Sequence, residues 1–253
     1  MGRLSGHVAF VSGAAQGMGA AHARRLAAEG ALVAVNDRVA SPALDDLAHE
    51  IGGLPVPADM ADREAVFAGL QRASEHLGEV DIVVANHAYM SMSDFLDHDE
   101  DDWWRVIDTN LGGTFWLIQA ALPSMRRRGA GRVVIISSEW GQVGWPQATA
   151  YSASKAGLIS LTNSLGRELA REHIIVNAIA PGVTDTPQLQ VDADAAGVTL
   201  AAMHEEYAAT IPLGRIGAPE DIAAAVAFLA DFRMEALVGQ VVSVNGGSTR
   251  TRA

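Results

Sequence analysis

Seven short apolar runs set the tightest limit on what this chain can fold into. They lie at 7–12 (HVAFVS), 31–36 (ALVAVN), 54–57 (LPVP), 80–85 (VDIVVA), 132–137 (RVVIIS), 174–179 (IIVNAI) and 240–244 (QVVSV). Each is too short for a helix, and most are apolar on both alternating faces rather than one. Such strands are buried on both sides, as strands are in a parallel sheet sandwiched between helices. Longer, Ala-rich stretches separate them and predict helices over 17–29, 42–51, 62–77, 99–128, 150–171 and 219–230. The 99–128 stretch is expected to break or bend at Pro123, where the ring removes a backbone donor. Strand and helix therefore alternate, which is the pattern of a doubly wound α/β sheet with helices on both faces. One segment falls outside the alternation. Residues 186–215 mix Asp, Ala and apolar side chains between a strand and the last helix, and predict a long loop acting as a lid. No linker-like stretch and no internal repeat divides the chain, so 1–253 is read as one domain.

Composition removes several classes of function. The 18 basic residues are outnumbered by 30 acidic ones, a net charge of −12. A nucleic-acid binder needs a basic face to replace phosphate counterions, and an anionic membrane would repel this chain. With 49% hydrophobic and 19% charged residues the chain is not of a disordered type. No apolar run approaches the roughly 20 residues that span a bilayer, and the first residues lack the apolar stretch of a secretory leader. Cysteine is absent, so there is neither a disulfide nor a thiolate. The expectation is a soluble, cytoplasmic protein with no nucleic acid and no membrane among its partners.

The first run leads into Ser12-Gly13-Ala14-Ala15-Gln16-Gly17-Met18-Gly19 and then a helix. Glycines at such a turn let the backbone approach a pyrophosphate held at the helix N-terminus, so Gly13, Gln16, Gly17, Met18 and Gly19 are candidate dinucleotide contacts. Asp37 follows the second run. A carboxylate there accepts hydrogen bonds from ribose hydroxyls and repels a 2′-phosphate. Arg38 beside it favours that phosphate, but a single cation next to a competing carboxylate makes a poor phosphate site, so NAD is expected over NADP.

Only one of the 18 basic residues is lysine, and it stands at Lys155. Tyr151, one of three tyrosines, lies one helical turn before it on the same face. An ammonium beside a phenol favours the phenolate, and the pair is expected to lower the tyrosine pKa toward a usable general acid/base. Ser138, at the end of the fifth run, supplies a hydroxyl for the substrate oxygen.

With these motifs in one order, the sequence resembles the short-chain dehydrogenase/reductase family, in its subgroup of about this length. The resemblance covers nearly the whole chain and rests on SGAAQGMG (12–19), DTNLGGTF with Asn110, IISSEWG (135–141), YSASK (151–155), NAIAPGVTDT (177–186), PLGRIGAPEDIA (212–223) and VNGGS (244–248). It implies a single Rossmann-type domain with a seven-stranded parallel sheet. It also implies a catalytic set of Asn110, Ser138, Tyr151 and Lys155, with Tyr151 as general acid/base and Ser138 orienting the carbonyl. Lys155 would bind the nicotinamide ribose and lower the tyrosine pKa, and Asn110 would bend its helix and hold a water for proton relay. Asp59 and Met60 fall at adenine-contact positions, and Thr184 and Thr186 at positions facing nicotinamide and phosphate. Where the family usually has Asn-Asn-Ala-Gly this chain reads Ala85-Asn86-His87-Ala88. Asn86 is kept as a cofactor contact, and His87 is read as a packed or solvated imidazole in preference to a second proton group. The family commonly forms tetramers through helices around 103–128 and 150–171, so a homotetramer is expected.

Eight histidines and many carboxylates show no ligand arrangement repeated in the sequence, and no catalytic metal is expected. Large apolar residues after the fourth and fifth runs and in the lid (Tyr89, Met90, Met92, Trp140, Trp145, Leu189, Leu200, Met203, Tyr207) suggest a hydrophobic substrate. The leading reading is an NAD(H)-dependent oxidoreductase interconverting a hydrophobic secondary alcohol and its ketone. The alternatives are an NADPH-dependent 3-oxoacyl reductase and a non-catalytic dinucleotide-sensing protein on the same fold. The lid carries no Arg or Lys cluster for a carrier protein or phosphate, which weighs against the first alternative.

Overall fold

A computed structural model describes residues 2–249. The strands are β1 (Val8–Val11), β2 (Leu32–Asp37), β3 (Leu54–Pro57), β4 (Ile82–Ala85), β5 (Gly131–Ile136), β6 (Ile174–Pro181) and β7 (Val241–Val244). They form one all-parallel sheet in the order β3-β2-β1-β4-β5-β6-β7. The two-residue period of a strand sends alternate side chains to opposite faces. Phe10, Val83, Ala85, Val133 and Ile135 enter the core beneath α3 (Arg63–Leu77), α5 (Gly113–Arg128) and α7 (Thr149–Leu169). Ala9, Val11, Ile82, Val84, Val134 and Ile136 enter the opposite core, under α1 (Gly17–Ala28), α2 (Pro42–Ile51) and α10 (Pro219–Ala230). The fully apolar runs are thus explained, since both faces are covered. The strand order reverses between β1 and β4, and a crevice opens there at the carboxyl ends of the strands. No helix among the described residues is long and apolar enough to cross a membrane.

Two expectations need correction. The break in the 99–128 region is not at Pro123, which lies inside a continuous α5. It falls at a π-helical turn, Asp108–Gly112, between α4 (Glu100–Ile107) and α5. Pro123 forfeits one backbone bond, but the turn after it buries Ser124 and Met125, and packing keeps the helix going. The segment at 186–215 is not a loop but a helical hairpin, α8 (Pro187–Ala196) and α9 (Leu200–Thr210). Its stops and starts are ordinary ones: Pro187 opens α8, Gly197 closes it in the left-handed region at φ 69°, and the Thr199 hydroxyl caps α9 at Ala202 N. A single turn, α6 (Trp140–Val143), follows β5.

Candidate active site

A cleft of about 540 Å³ occupies the crevice above β1 and β4. Its walls include Gly13, Gln16, Gly17, Met18, Gly19, Asp37, Asp59, Met60, Asn86, Ser138, Tyr151, Thr184 and Thr186, so the structure brings these candidates together. Asn110 and Lys155, both buried, stand behind that wall.

At one end the chain folds as a cradle. The backbone N–H groups of the first turn of α1 have no carboxylate in that turn to occupy them, and Gln16 makes no side-chain cap. They are free to meet an anion, which the helix dipole also favours. A Cβ on Gly19 would overlap the Gly13 carbonyl oxygen, because strand and helix meet there without room for a side chain. Gly19→Ala should therefore lower the melting temperature by about 5 °C or more and weaken dinucleotide binding, checked by thermal denaturation with and without cofactor. Asp37 closes the cradle. Its Oδ2 accepts from Ala15 N at 2.9 Å and its Oδ1 from Arg38 N at 2.8 Å, so the carboxylate is pinned at the cleft edge with lone pairs to spare. Asp59 Oδ1 accepts from Ala61 N at 2.9 Å, turning the chain after β3 so that Met60 faces the cleft. The donors, the carboxylate and the tight loop fit a dinucleotide.

Asn86 and His87 lock this loop to β4. Asn86 Nδ2 donates to the Ser12 and Gly13 carbonyls, both at 3.0 Å. The Ser12 hydroxyl accepts from Asn86 N at 3.0 Å and His87 N at 3.2 Å, which uses both its lone pairs. Its proton is then directed at His87 Nδ1, 2.7 Å away, in preference to Val84 O at 3.3 Å. This assigns the His87 proton to Nε2, which lies against Gly113, where an added Cβ would come within 2.8 Å of it. Burial, helped by the charge of Lys155, pushes the imidazole down to about 3. His87 is thus a packed, neutral group, as its reading from the sequence preferred.

The middle of the cleft holds the polar centre. Tyr151, on α7, and Ser138, at the end of β5, line the cleft near enough for Ser138 to act on the phenol, and Ser138 Oγ accepts from Trp140 N at 3.1 Å. Lys155 Nζ donates to the Ile136 carbonyl at 2.8 Å and lies 5.5 Å from the centre of the Tyr151 ring. The direction runs against the expected lowering of the tyrosine pKa: in the open cleft burial pushes Tyr151 up to about 12, against the smaller opposing effect of Ser138, and pushes Lys155 down to about 7. Desolvation acts on both groups and exceeds the mutual charge effect that spacing alone suggests. Tyr151 is accordingly a firmly protonated phenol, a state suited to giving a proton to a carbonyl oxygen. Asn110 sits at the centre of the π turn. Its Oδ1 accepts from Tyr89 N at 2.7 Å, and its Nδ2 donates to Tyr89 O and Ser154 Oγ, both at 3.0 Å. Ser154 in turn donates to the Tyr151 carbonyl at 2.7 Å. The Asn110 side chain thus braces the β4–α4 loop against α7 and leaves one Oδ1 lone pair for a water.

Thr184 Oγ1 donates to Gly182 O at 3.0 Å, and Thr186 stands at the start of α8 beside Gly17 without a side-chain cap. Of the apolar residues expected at the substrate end, Tyr89, Met90, Trp140, Leu189 and Tyr207 line the cleft; Met92, Trp145, Leu200 and Met203 do not. Met203 and Leu189 are buried in a small cluster with Ala193, packed by Val183, Leu200, Tyr207 and Ile216. Met203 and Leu200 hold α8 and α9 together rather than cover the cavity, whereas Leu189 and Tyr207 join this cluster and line the cleft as well. Trp145 instead stacks on Trp140, with ring centres 5.0 Å apart, and Trp140 meets Tyr151 edge-on at 5.9 Å. The sequence reading missed Arg105, Thr109, Glu139, Gln188 and Asp192, which also line the cleft. Arg105 and Thr109 flank Asn110 on the N-terminal side, and Glu139 directly follows Ser138, so proximity to those motifs was the available signal. Among the described residues no group of three or more His, Asp or Glu side chains is arranged to hold a metal ion.

Fold and cleft together define an oxidoreductase that binds a nicotinamide dinucleotide, and the chain belongs to the short-chain dehydrogenase/reductase family. A family model described as enoyl-(acyl carrier protein) reductase matches residues 13–249. The chain is 36% identical over 250 residues to 3-oxoacyl-[acyl-carrier-protein] reductase FabG of Thermotoga maritima, covering 97% of this chain and 98% of that one. It is 37% identical over 244 residues to the FabG of Staphylococcus aureus, covering 94% and 96%. It is 38% identical over 256 residues to oxidoreductase UcpA of Salmonella typhimurium, covering 98% and 97%.

Proposed function

We propose that this protein reduces a ketone to a secondary alcohol, and catalyses the reverse, with Tyr151 as proton donor and NAD(H) as cofactor. The observation that carries the reading is that Tyr151 and Ser138 line the same cleft as a dinucleotide cradle, with burial favouring the protonated phenol. In the reaction the Ser138 and Tyr151 hydroxyls turn to the carbonyl oxygen, and Tyr151 passes its proton as the carbonyl carbon becomes carbinol. Lys155 would hold the ribose next to the nicotinamide, and its protonated form would stabilise the phenolate left behind. Asn110 keeps the β4–α4 loop and α7 in register. The first turn of α1 holds the pyrophosphate, Asp37 the adenosine ribose, Asp59 and Met60 the adenine, and Thr184 and Thr186 the nicotinamide half. Bound nicotinamide supplies or accepts the hydride.

On the substrate, the relatives named as 3-oxoacyl-[acyl-carrier-protein] reductases support a 3-oxoacyl group over the bulky neutral ketone expected from the sequence. The cleft supports the same shift, because four of the nine residues expected in an apolar pocket, Met92, Trp145, Leu200 and Met203, do not line it. A neutral hydrophobic ketone remains the second reading, supported by Tyr89, Met90, Trp140, Leu189 and Tyr207. The hairpin acts as the substrate lid in either case. Exposed Trp104 and Phe115, on α4 and α5, support assembly through the long helices. The test follows reduced cofactor at 340 nm with acetoacetyl thioesters against phenyl-substituted ketones; absence of turnover on both overturns the ketone reading.

Cofactor choice is tested at Asp37. In Asp37→Ser the ribose loses its acceptor and Arg38 is left unopposed beside the 2′ position. The ratio of kcat/KM for NADH over NADPH should fall 10- to 100-fold, a coupling of about 1–3 kcal/mol. A parent enzyme that prefers NADPH contradicts the assignment.

A further inference from the structure

The substrate end of the cleft contains a cation that the proposed chemistry does not use. Arg105, on α4, lines the cleft with its guanidinium carbon 4.2 Å from the centre of the Tyr89 ring. Tyr89 is an immobile platform. Its main chain is clamped at both N and O by Asn110, and its hydroxyl donates to Asp102 Oδ1 at 2.6 Å. A guanidinium held over the face of such a ring still has N–H donors to offer, in the fork that matches a carboxylate or phosphate. No acceptor or ion-pair partner takes those donors among the described residues, in contrast to Arg24, Arg126, Arg127, Arg215 and Arg233, each of which is paired with a carboxylate.

The neighbouring carboxylates are otherwise engaged. Hydrogen bonds from Ser91 and Tyr89 hold Asp102 below the usual carboxylate range, and Arg105 adds a smaller charge effect. Asp192, across the cleft on α8, accepts from Gln188 at 2.9 Å. The remaining arginine of the cleft wall, Arg38, belongs to the cofactor end. Arg105 lines the same cleft as Ser138 and Tyr151, and the Asn110 side chain that clamps its Tyr89 platform also bonds Ser154, whose hydroxyl bonds the Tyr151 carbonyl.

We propose that Arg105 is a specificity-determining residue that binds an anionic oxygen group of the substrate, so that the preferred ketone carries a carboxylate or a phosphate in addition to its reducible carbonyl. The assignment rests on the ketone-reductase reading of the same cleft and narrows it. The neutral apolar surfaces of Met90, Trp140 and Leu189 then line the stretch between the carbonyl and the anion.

The experiment compares acid and neutral partners of equal chain length. Acetoacetate, 4-oxopentanoate and 5-oxohexanoate are assayed against their methyl esters, and acetoacetyl-coenzyme A against the uncharged N-acetylcysteamine thioester, in the parent, Arg105→Met and Arg105→Lys. The anion-to-neutral ratio of kcat/KM should exceed 10 for at least one pair in the parent and fall 10- to 100-fold in Arg105→Met, with Arg105→Lys intermediate because it keeps the charge without the fork. Loss confined to the acid–ester pairs identifies a carboxylate, and loss confined to the thioester pair a phosphate. In parallel, calorimetry with NADH present measures binding of the corresponding hydroxy acids and hydroxy esters, which do not react with that cofactor form. A preference for the acid that Arg105→Met abolishes supports the anion site even if no ketone is turned over, a result that would sink the reductase reading alone. Equal binding of acid and ester, or a parent ratio that Arg105→Met leaves unchanged, overturns the proposal.

Discussion

Tyr151→Phe should lower kcat by about 10²–10⁴-fold while leaving the dissociation constant for NADH within about threefold of the parent. The change removes one oxygen from a ring whose packing stays, since Trp140 meets it edge-on and the side chain is held by the same helix. Two things are lost together: the proton given to the carbonyl oxygen and one of the two hydroxyls that polarise it. Ser138 alone can still donate a hydrogen bond, which sets the floor of residual activity. Tyr151 is pushed up to about 12 by burial, so the phenol is protonated throughout the working pH range and ketone reduction should show no tyrosine ionisation below pH 9 in the unliganded enzyme. Stopped-flow kinetics with separate fluorescence titration of NADH distinguish chemistry from binding. Turnover within tenfold of the parent would remove Tyr151 from the proton-donor role.

The second large effect concerns stability in acid. His22 in α1 and His87 after β4 are both buried, and both are pushed down to about 3 from 6.5, chiefly by burial. Burial outweighs the smaller opposing contacts, of His22 with the Asn86 side chain and of His87 with the Thr109 backbone. The sign follows from proton counting. Above pH 6.5 both states hold these imidazoles neutral and pH has no effect through them. Between 6.5 and 3 the unfolded chain takes up two protons that the folded chain refuses, so stability falls as pH falls. At pH 4.5 the loss is about 2–3 kcal/mol for each histidine, together a large fraction of a typical domain's stability. The urea midpoint should therefore drop steeply between pH 7 and 5, and His22→Leu should flatten that slope. Proton NMR gives an independent check: the two ring signals should not titrate down to pH 5. Ordinary titration near 6.5 for both would refute the account.

The sheet was readable because β1, β4 and most of β2, β5 and β6 run apolar on both alternating faces, a pattern that two-sided burial accounts for. The cradle was readable for a related reason: Gly13, Gly17 and Gly19 after an apolar run leave few other roles. Other features depend on what is not adjacent in sequence. The π turn at Asp108–Gly112 is carried by one buried side chain, Asn110, bonding to a loop and a helix that come from elsewhere, and the nearby proline was the more visible but wrong marker. The α8–α9 hairpin lacks a sustained helical period because small and acidic residues interrupt it, and only Pro187 and Gly197 betray its ends. The direction of the Tyr151 shift inverted because spacing reports which charges are neighbours and says nothing of how much water they have lost. Arg105 escaped notice because one arginine among 17 carries no mark of its own until the fold sets it against Tyr89.

The Ser12–His87 hydrogen bond joins residues 75 apart, and it fastens the loop that follows the very first strand. A ribosome adding about 5–20 residues per second needs roughly 4–15 s to supply the second half of that bond. Until then β1 has only β2, its partner some two dozen residues on, and the turn that will face the pyrophosphate has nothing to lock it. Cofactor capture is therefore a late event in the birth of this protein, gated by the arrival of β4, and a nascent chain stalled before His87 would expose one edge of its founding strand to any other unpaired strand nearby.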